Sequence, residues 1–279
     1  MVMRTGMAGG VDFGRELRRW RSVRRVSQLD LANLAGTTQR HLSFIEQGRS
    51  RPGRPIVVRL AESLNLSLRE RNALLHSAGY APVFAETPLD GPILGPVREA
   101  VESIIEGHLP YPAMVVGPYG DVVAMNRAVE VMTEGSDPAL LEPPVNTLRL
   151  MLHPQGMARR VGNPGQWGRH VVEALRARSL RSPDPRLDAL IAELGGYLPE
   201  PEPESGHLGF AVPLRLSLDE PWESVRELRL ITTLTSFATA VDVTLSELRL
   251  EAFLPADAGT ADYLRHRDAQ RRGQSSTSG

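Results

Sequence analysis

The stretch Ser27–Arg51, SQLDLANLAGTTQRHLSFIEQGRSR, decides how the first third of the chain is read. It predicts two short helices joined at a tight turn, the second with a polar outer face. Ser27 is the residue type that caps a helix N-terminus, and Gln28–Ala35 then carries Leu29, Leu31, Ala32, Leu34 and Ala35. Ala32 is small where a crossing helix needs close approach. Gly36 sits at the corner, where a positive φ costs glycine nothing. Thr37 or Thr38 caps the second helix, which runs to Gln47 and stops at Gly48. Leu42 and Ile45 are three apart and turn inward, which leaves Gln39, Arg40, Ser43 and Phe44 facing out. Glutamine suits an adenine edge and arginine a guanine edge, and an apolar ring can meet a thymine methyl. Arg49, Arg51 and Arg54 follow, spaced by Ser50, Pro52 and Gly53, a basic turn suited to phosphate contacts. A buried helical hairpin would show the same periodicity, so the flanks must decide between the two.

Charge is the first of those flanks. The net charge of the 279 residues is only −1, but residues 1–82 hold 14 arginines against 6 acids and residues 83–279 hold 18 against 27. The basic part is the one with the paired helices, as attraction to phosphate requires, and the acidic remainder would be repelled by DNA. The chain contains neither lysine nor cysteine, which excludes disulfides, thiolate catalysis and Cys-ligated metals. No apolar run approaches the roughly 20 residues of a membrane helix, and MVMRTGMAGG lacks the apolar centre of a signal peptide. The expected location is cytoplasmic, away from any membrane.

Outward from the opening stretch, residues 1–10 are glycine-rich and expected to be unstructured. Asp12–Arg25 predicts a helix with Phe13, Leu17 and Trp20 on its core side. Arg54–Leu64 and Ser67–Ala78 predict two more helices, the last closing at Gly79. Val83–Pro96 has little periodicity and several prolines, as a linker would, and Leu94–Glu106 is helical again. Ala113–Val116 and Val122–Met125 read as a hairpin about the turn Pro118–Asp121, with Asn126 capping a helix through Met132. Leu148–Leu152, Trp167–Arg178 and Pro185–Leu194 read as helices and Glu200–Glu204 as a surface loop. His207–Leu218, Val225–Thr235 and Ser246–Phe253 read as strands, with a turn at Asp219–Trp222. After Pro255 a polar tail is expected, with a short helix near Asp262–Arg267 and no structure over Gln274–Gly279.

Residues 13–82 resemble the phage-repressor-like (Xre, Cro/C1-type) DNA-binding domain of five helices. The resemblance lies in LRRWR (Leu17–Arg21), SQLDLA (Ser27–Ala32), AGTTQRHLSFIEQGRSRP (Ala35–Pro52) and LAESLNLSLRERNALLHSAGYAP (Leu60–Pro82). It implies a phosphate contact for Gln28, base contacts for Thr38, Gln39 and Arg40 with Ser43 and Phe44 one turn on, and a structural pair between Arg21 and Glu46. The remainder resembles the ligand-binding domain of MmyB-like transcription regulators, a PAS-like fold. There the matching segments are PAMVVGPYGDVVAMNRA (Pro112–Ala128), NTLRLMLHP (Asn146–Pro154), QWGRHVVEALRAR (Gln166–Arg178), SPDPRLDALIAEL (Ser182–Leu194) and DVTLSELRLEAFLPAD (Asp242–Asp257). Gly195–Gly206 departs from that family's pattern, so the ligand's identity is not carried over.

The fold class expected is α followed by α+β: a five-helix repressor-like helix-turn-helix domain at 11–82, a linker at 83–94, a PAS-like antiparallel-sheet domain at 95–256 and a tail at 257–279. The resemblance implies a small lipophilic, fatty-acid-like effector. A cavity for it would be lined by Met114, Val116, Met125, Trp167, Val171, Phe210 and Leu230, residue types that also serve as plain core. The alternative is a second domain that only dimerises or docks a protein. A single recognition helix reads few base pairs, so the expected partner is double-stranded DNA with a pseudo-palindromic operator, bound by a homodimer. No enzyme motif is present: GxSxG, HExxH, Walker A and the dinucleotide fingerprint are all missing. His41, His76, His108, His153, His170, His207 and His266 show no metal-ligand spacing, so neither cofactor nor metal is expected.

Overall fold

The computed structural model describes residues 8–89, 91, 94–200, 212–237 and 240–275. It divides into two compact units, one running to Pro88 with Leu180–Ser182 and Ala238–Ser246, the other holding the rest.

The first unit is built from α1 (Ala8–Val23), α2 (Gln28–Leu34), α3 (Gln39–Glu46), α4 (Arg54–Ser63) and α5 (Leu68–Ser77). Each boundary has a local cause. The Ser27 hydroxyl accepts the Asp30 N–H at 3.1 Å and starts α2. Thr38, not Thr37, starts α3, its hydroxyl accepting the His41 N–H at 3.2 Å. Ser67 and Glu70 cap α5 reciprocally, at 2.7 and 3.3 Å. Gly36, Gly48 and Gly79 close their helices with φ of 63°, 71° and 81°. Phe13, Leu17, Leu31, Ala32, Leu42, Ile45, Leu60 and Leu74 form the core. At Gly14 a Cβ would stand 2.7 Å from the carbonyl oxygens of both Ile45 and Glu46, so α1 passes against the end of α3 only because that residue has no side chain.

The expected linker begins later than its composition implies. Asn72 on α5 donates to the Phe84 carbonyl at 2.8 Å and accepts the Val83 and Phe84 N–H groups at 3.0 and 3.1 Å. Arg69 pairs with Glu86 at 2.6 Å. One side-chain amide thus satisfies backbone that water would otherwise solvate, and Val83–Phe84 becomes part of the helical unit.

In the second unit α6 (Gly95–Glu106) precedes β1 (Ala113–Val116) and β2 (Val122–Met125), which turn at Gly120 with φ 85°. Asn126 does not cap the following helix through its side chain, as the sequence suggests. Its buried amide accepts the Ala113 N–H at 3.2 Å and donates to the Ile105 and Tyr111 carbonyls at 2.9 Å each, tying α6 to the hairpin. Long-range carbonyls compete successfully with the local cap. A short 3₁₀ turn leads into α7 (Glu130–Thr133), then α8 (Thr147–Leu152), α9 (Pro164–Arg181) and α10 (Pro185–Gly195). β3 (Leu214–Trp222), β4 (Val225–Ser236), β5 (Arg249–Pro255) and α12 (Ala258–Ser275) complete this unit, while α11 (Val243–Glu247), between β4 and β5 in the chain, falls in the first unit through Ser246.

The five strands form one antiparallel sheet in the order β2-β1-β5-β4-β3. Asp219–Trp222, expected as a turn, stays in β3, because an edge strand tolerates Pro221; the chain reverses at Glu223, φ 53°. Residues 207–211, where the expected strand begins, lie outside the described residues, as do Phe210 and residues 201–206 of the loop. β5 starts at Arg249 rather than Ser246, because α11 takes the residues before it.

The expected polar tail is corrected most. It is an 18-residue helix, held by buried Tyr263 and Leu264 in the core and by Asp268, whose carboxylate accepts from Arg127 at 3.0 and 3.2 Å. Leu150, Met151, Trp167, Val172, Leu187 and Leu194 from α8–α10 share one core with Met114, Val116, Leu214, Leu230 and Phe253 of the sheet. No described helix is long and apolar enough to cross a membrane.

Candidate nucleic-acid interface and sensor face

The face of α3 is fixed from behind. Leu42 and Ile45 are fully buried, and Glu46 is 5% exposed. Arg21 grips that carboxylate with Nε to Oε1 at 2.7 Å and Nη2 to Oε2 at 3.1 Å, while Gln28 Nε2 donates at 2.7 Å. Arg18 adds a contact at 3.5 Å. Burial works to raise the Glu46 carboxyl, but the hydrogen bonds from Arg21 and Gln28 and the nearby charges outweigh it and hold the group below its ordinary value. The expected Arg21–Glu46 pair is therefore present, with Gln28 as a third member. One of the two Gln28 amide hydrogens is spent there.

With its inner side locked, α3 projects exposed Thr38, Gln39 and Arg40 and half-buried Ser43 and Phe44. The Arg40 guanidinium carbon lies 5.5 Å from the Phe44 ring centroid, a cation–π pair that orders both side chains. Gln47 donates to Ser43 Oγ at 3.0 Å. Arg49, Arg51 and Arg54 are exposed beyond the helix end. Arg51 leans back, with Nη2 3.4 Å from the Ala78 carbonyl, so it also braces the end of α5. Arg54 opens α4, whose free N–H groups already favour an anion.

In the second unit the expected lining residues separate. Met114, Val116 and Leu230 are buried on the sheet face under α8–α10, and Trp167 is buried on α9 with half-buried Val171 one turn on. Met125 pairs with Met114 across β1–β2 but is 49% exposed on the edge strand. Beside Trp167 the apolar cavity measures about 20 Å³, bordered by Met151, Leu152, Val161 and Leu198, room for one water. A larger cleft, about 210 Å³, lies between Tyr119, Asn146, Arg149, Arg186 and Glu193, and its ionic groups already have partners. Arg149 pairs with Glu193 at 2.6 Å, Arg186 with Asp121 at 3.4 Å, and the Tyr119 hydroxyl donates to Asp184 at 2.6 Å.

Two polar groups on the sheet escaped the sequence reading. Glu251 on β5 has no hydrogen bond or ion pair among the described residues, and burial alone pushes its carboxyl up to about 7. Thr232 Oγ1 on β4 is buried without a partner. His153 meets the Tyr197 ring edge-on at 4.9 Å, His170 is exposed, and no group of three metal-ligating side chains occurs among the described residues.

Comparison with known proteins fits this division. A helix-turn-helix domain model matches residues 12–74 and the MmyB-like transcription regulator ligand binding domain matches residues 97–266. No curated protein matches the chain. Among solved structures, the restriction-modification controller protein C.AhdI from Aeromonas hydrophila is 31% identical over 22% of this chain and 92% of its own, with a TM-score of 0.21. The clp gene regulator ClgR from Corynebacterium glutamicum is 20% identical over 37% of this chain and 95% of its own, with a TM-score of 0.23. Because the ligand-binding-domain model alone takes in more than half of the residues and a helix-turn-helix precedes it, the chain belongs to the MmyB-like transcription regulators.

Proposed function

We propose that this regulator binds a specific pseudo-palindromic operator as a homodimer in the cytoplasm, and that its second unit senses a small lipophilic, fatty-acid-like effector. The DNA-binding half of the reading is carried by α3. Its inner side is anchored through Glu46, and its outer side offers Gln39, Arg40, Ser43 and Phe44 between exposed arginines. Gln39 and Arg40 carry base-reading chemistry, Gln28, Arg49, Arg51 and Arg54 carry phosphate chemistry, and Thr38 sits at the helix start. The effector must bind the DNA-competent and incompetent arrangements with different affinity, or it shifts nothing.

The test is selection of bound sequences from a random duplex pool, followed by footprinting. A two-fold symmetric site protected over one or more helical turns is the expected result. Protection without sequence preference sinks the operator reading.

A second reading, a dimerisation or protein-docking unit without a ligand, is favoured by the cavity of only about 20 Å³ beside Trp167. Native mass spectrometry separates them: a co-purifying lipophilic molecule at fixed stoichiometry supports the sensor, and a bare dimer supports the docking unit.

A further inference from the structure

The inner face of the sheet carries a polar pair that packing does not explain. Register pairs Glu251 with Met114 on one side and Leu234 on the other, and pairs Phe253 with Thr232. Directly paired residues and those two apart on a strand share a face, so Met114, Glu251, Phe253, Thr232 and Leu234 all point the same way. Along this row exposure falls from 65% at Leu234 to 2% at Met114 and 0% at Phe253, with Glu251 half-buried between them. The row is a ramp from solvent into the core. On it stand a carboxyl and, diagonal to it on the next strand, a hydroxyl, neither with a partner among the described residues. Arg249 shares this face two residues along β5, with Nη1 on the Leu248 carbonyl at 3.0 Å.

A buried hydroxyl left unbonded is destabilising, and a dehydrated carboxyl is driven towards its neutral form. Buried polar atoms in native proteins nearly always have a partner. A buried hydroxyl without a bond, diagonal to a half-buried carboxyl without a protein partner, offers the polar group of a ligand two places to bond.

We propose that Glu251 and Thr232 form the polar end of the effector site, taking the uncharged head of a lipophilic ligand, an amide or an alcohol, with its chain along Met114 and Phe253. This rests on the reading of the second unit as a sensor, and it names the ligand class. A neutral carboxyl offers one O–H donor and one carbonyl acceptor, and the threonine hydroxyl offers one of each. An amide head matches both. An ionised carboxylate only accepts, and it would lose its hydration beside a group that is itself acidic.

The experiment uses the full chain at pH 6, with octanamide and octanoate as probes and tryptophan fluorescence as the readout. Wild type should bind octanamide about tenfold more tightly than octanoate. Thr232→Val should weaken octanamide about fivefold without lowering the melting temperature, since an apolar isostere replaces an unbonded hydroxyl. Glu251→Leu should abolish the preference between the two probes. Octanoate binding as tightly as octanamide, or a preference untouched by both substitutions, overturns the head-group assignment and leaves the sensor intact. Binding of neither probe overturns the assignment together with the sensor reading on which it rests.

Discussion

Two glutamates, buried Glu46 in the helical unit and half-buried Glu251 in the sheet unit, are treated in opposite ways. Glu46 in the helical unit is enclosed by Arg21, Gln28 and Arg18 and stays charged. Glu251 in the sheet unit has no such company, and burial pushes it up to about 7. A carboxylate held by three hydrogen bonds sets a rigid geometry, and here that geometry presents the outer face of α3. A carboxyl left unsatisfied weakens its own unit and keeps its hydrogen-bonding capacity for something else. Glu46 is spent on shape, whereas Glu251 and Thr232 keep their hydrogen-bonding capacity.

Glu46→Ala is the severest way to break that contrast. It leaves Arg21 buried without its counter-charge and frees Gln28, so the helical unit should lose about 3–5 kcal/mol in urea unfolding followed by circular dichroism. A loss below about 1 kcal/mol would mean that Arg21 and Gln28 re-pair with water, and that the anchor is ornamental.

Glu251→Gln should act with the opposite sign. The folded-state value of about 7 lies above the ordinary 4.5, so the folded unit binds a proton more tightly than the unfolded chain. Wild type is therefore relatively most stable below 4.5 and loses stability as pH rises through about 7. The uncharged variant escapes that loss. At pH 8 it should exceed wild type by about 1–3 kcal/mol, and at pH 4.5 the two should coincide. Equal melting at both pH values would show the carboxyl to be solvated or paired.

Arg40→Ala sharpens the contrast between inner and outer faces of α3. Stability should change by less than about 0.5 kcal/mol, while affinity for the selected operator falls by about 1–3 kcal/mol with relaxed preference at one base position. A uniform loss over all sequences would demote Arg40 to a phosphate contact. Ser67→Ala gives the smallest effect, about 1 kcal/mol, by opening the reciprocal cap of α5. Thermal melts of the two proteins side by side are sufficient to detect it.

What was legible in the chain was local. Caps and glycines act over four residues, so Ser27, Gly36, Gly48 and Ser67 disclose the first unit almost completely. The β1–β2 hairpin was equally open to reading, from its apolar runs and Pro118–Asp121. Long-range partners were not. Asn126 has the signature of a cap, but carbonyls at Ile105 and Tyr111 claim it. Gly14 gives no hint that the backbone of Ile45 and Glu46 lies against it. On β5, alternation of Leu250, Glu251, Ala252 and Phe253 sends Glu251 outward in a half-exposed sheet. This strand is central and covered on both faces, so alternation no longer separates core from solvent. α12 was read only as the short helix near Asp262–Arg267, because its hold rests on few residues, Tyr263, Leu264 and the Asp268–Arg127 pair.

The Asn72 amide has a practical corollary for cutting the molecule. Proteases and gene truncations alike find a module's edge where backbone ceases to be tethered. By composition that edge falls at Pro82, yet a fragment ending there leaves Asn72 facing bare water where Val83 and Phe84 belong. A self-contained helical fragment therefore closes no earlier than Phe84, and the Arg69–Glu86 pair at 2.6 Å carries the tether past it.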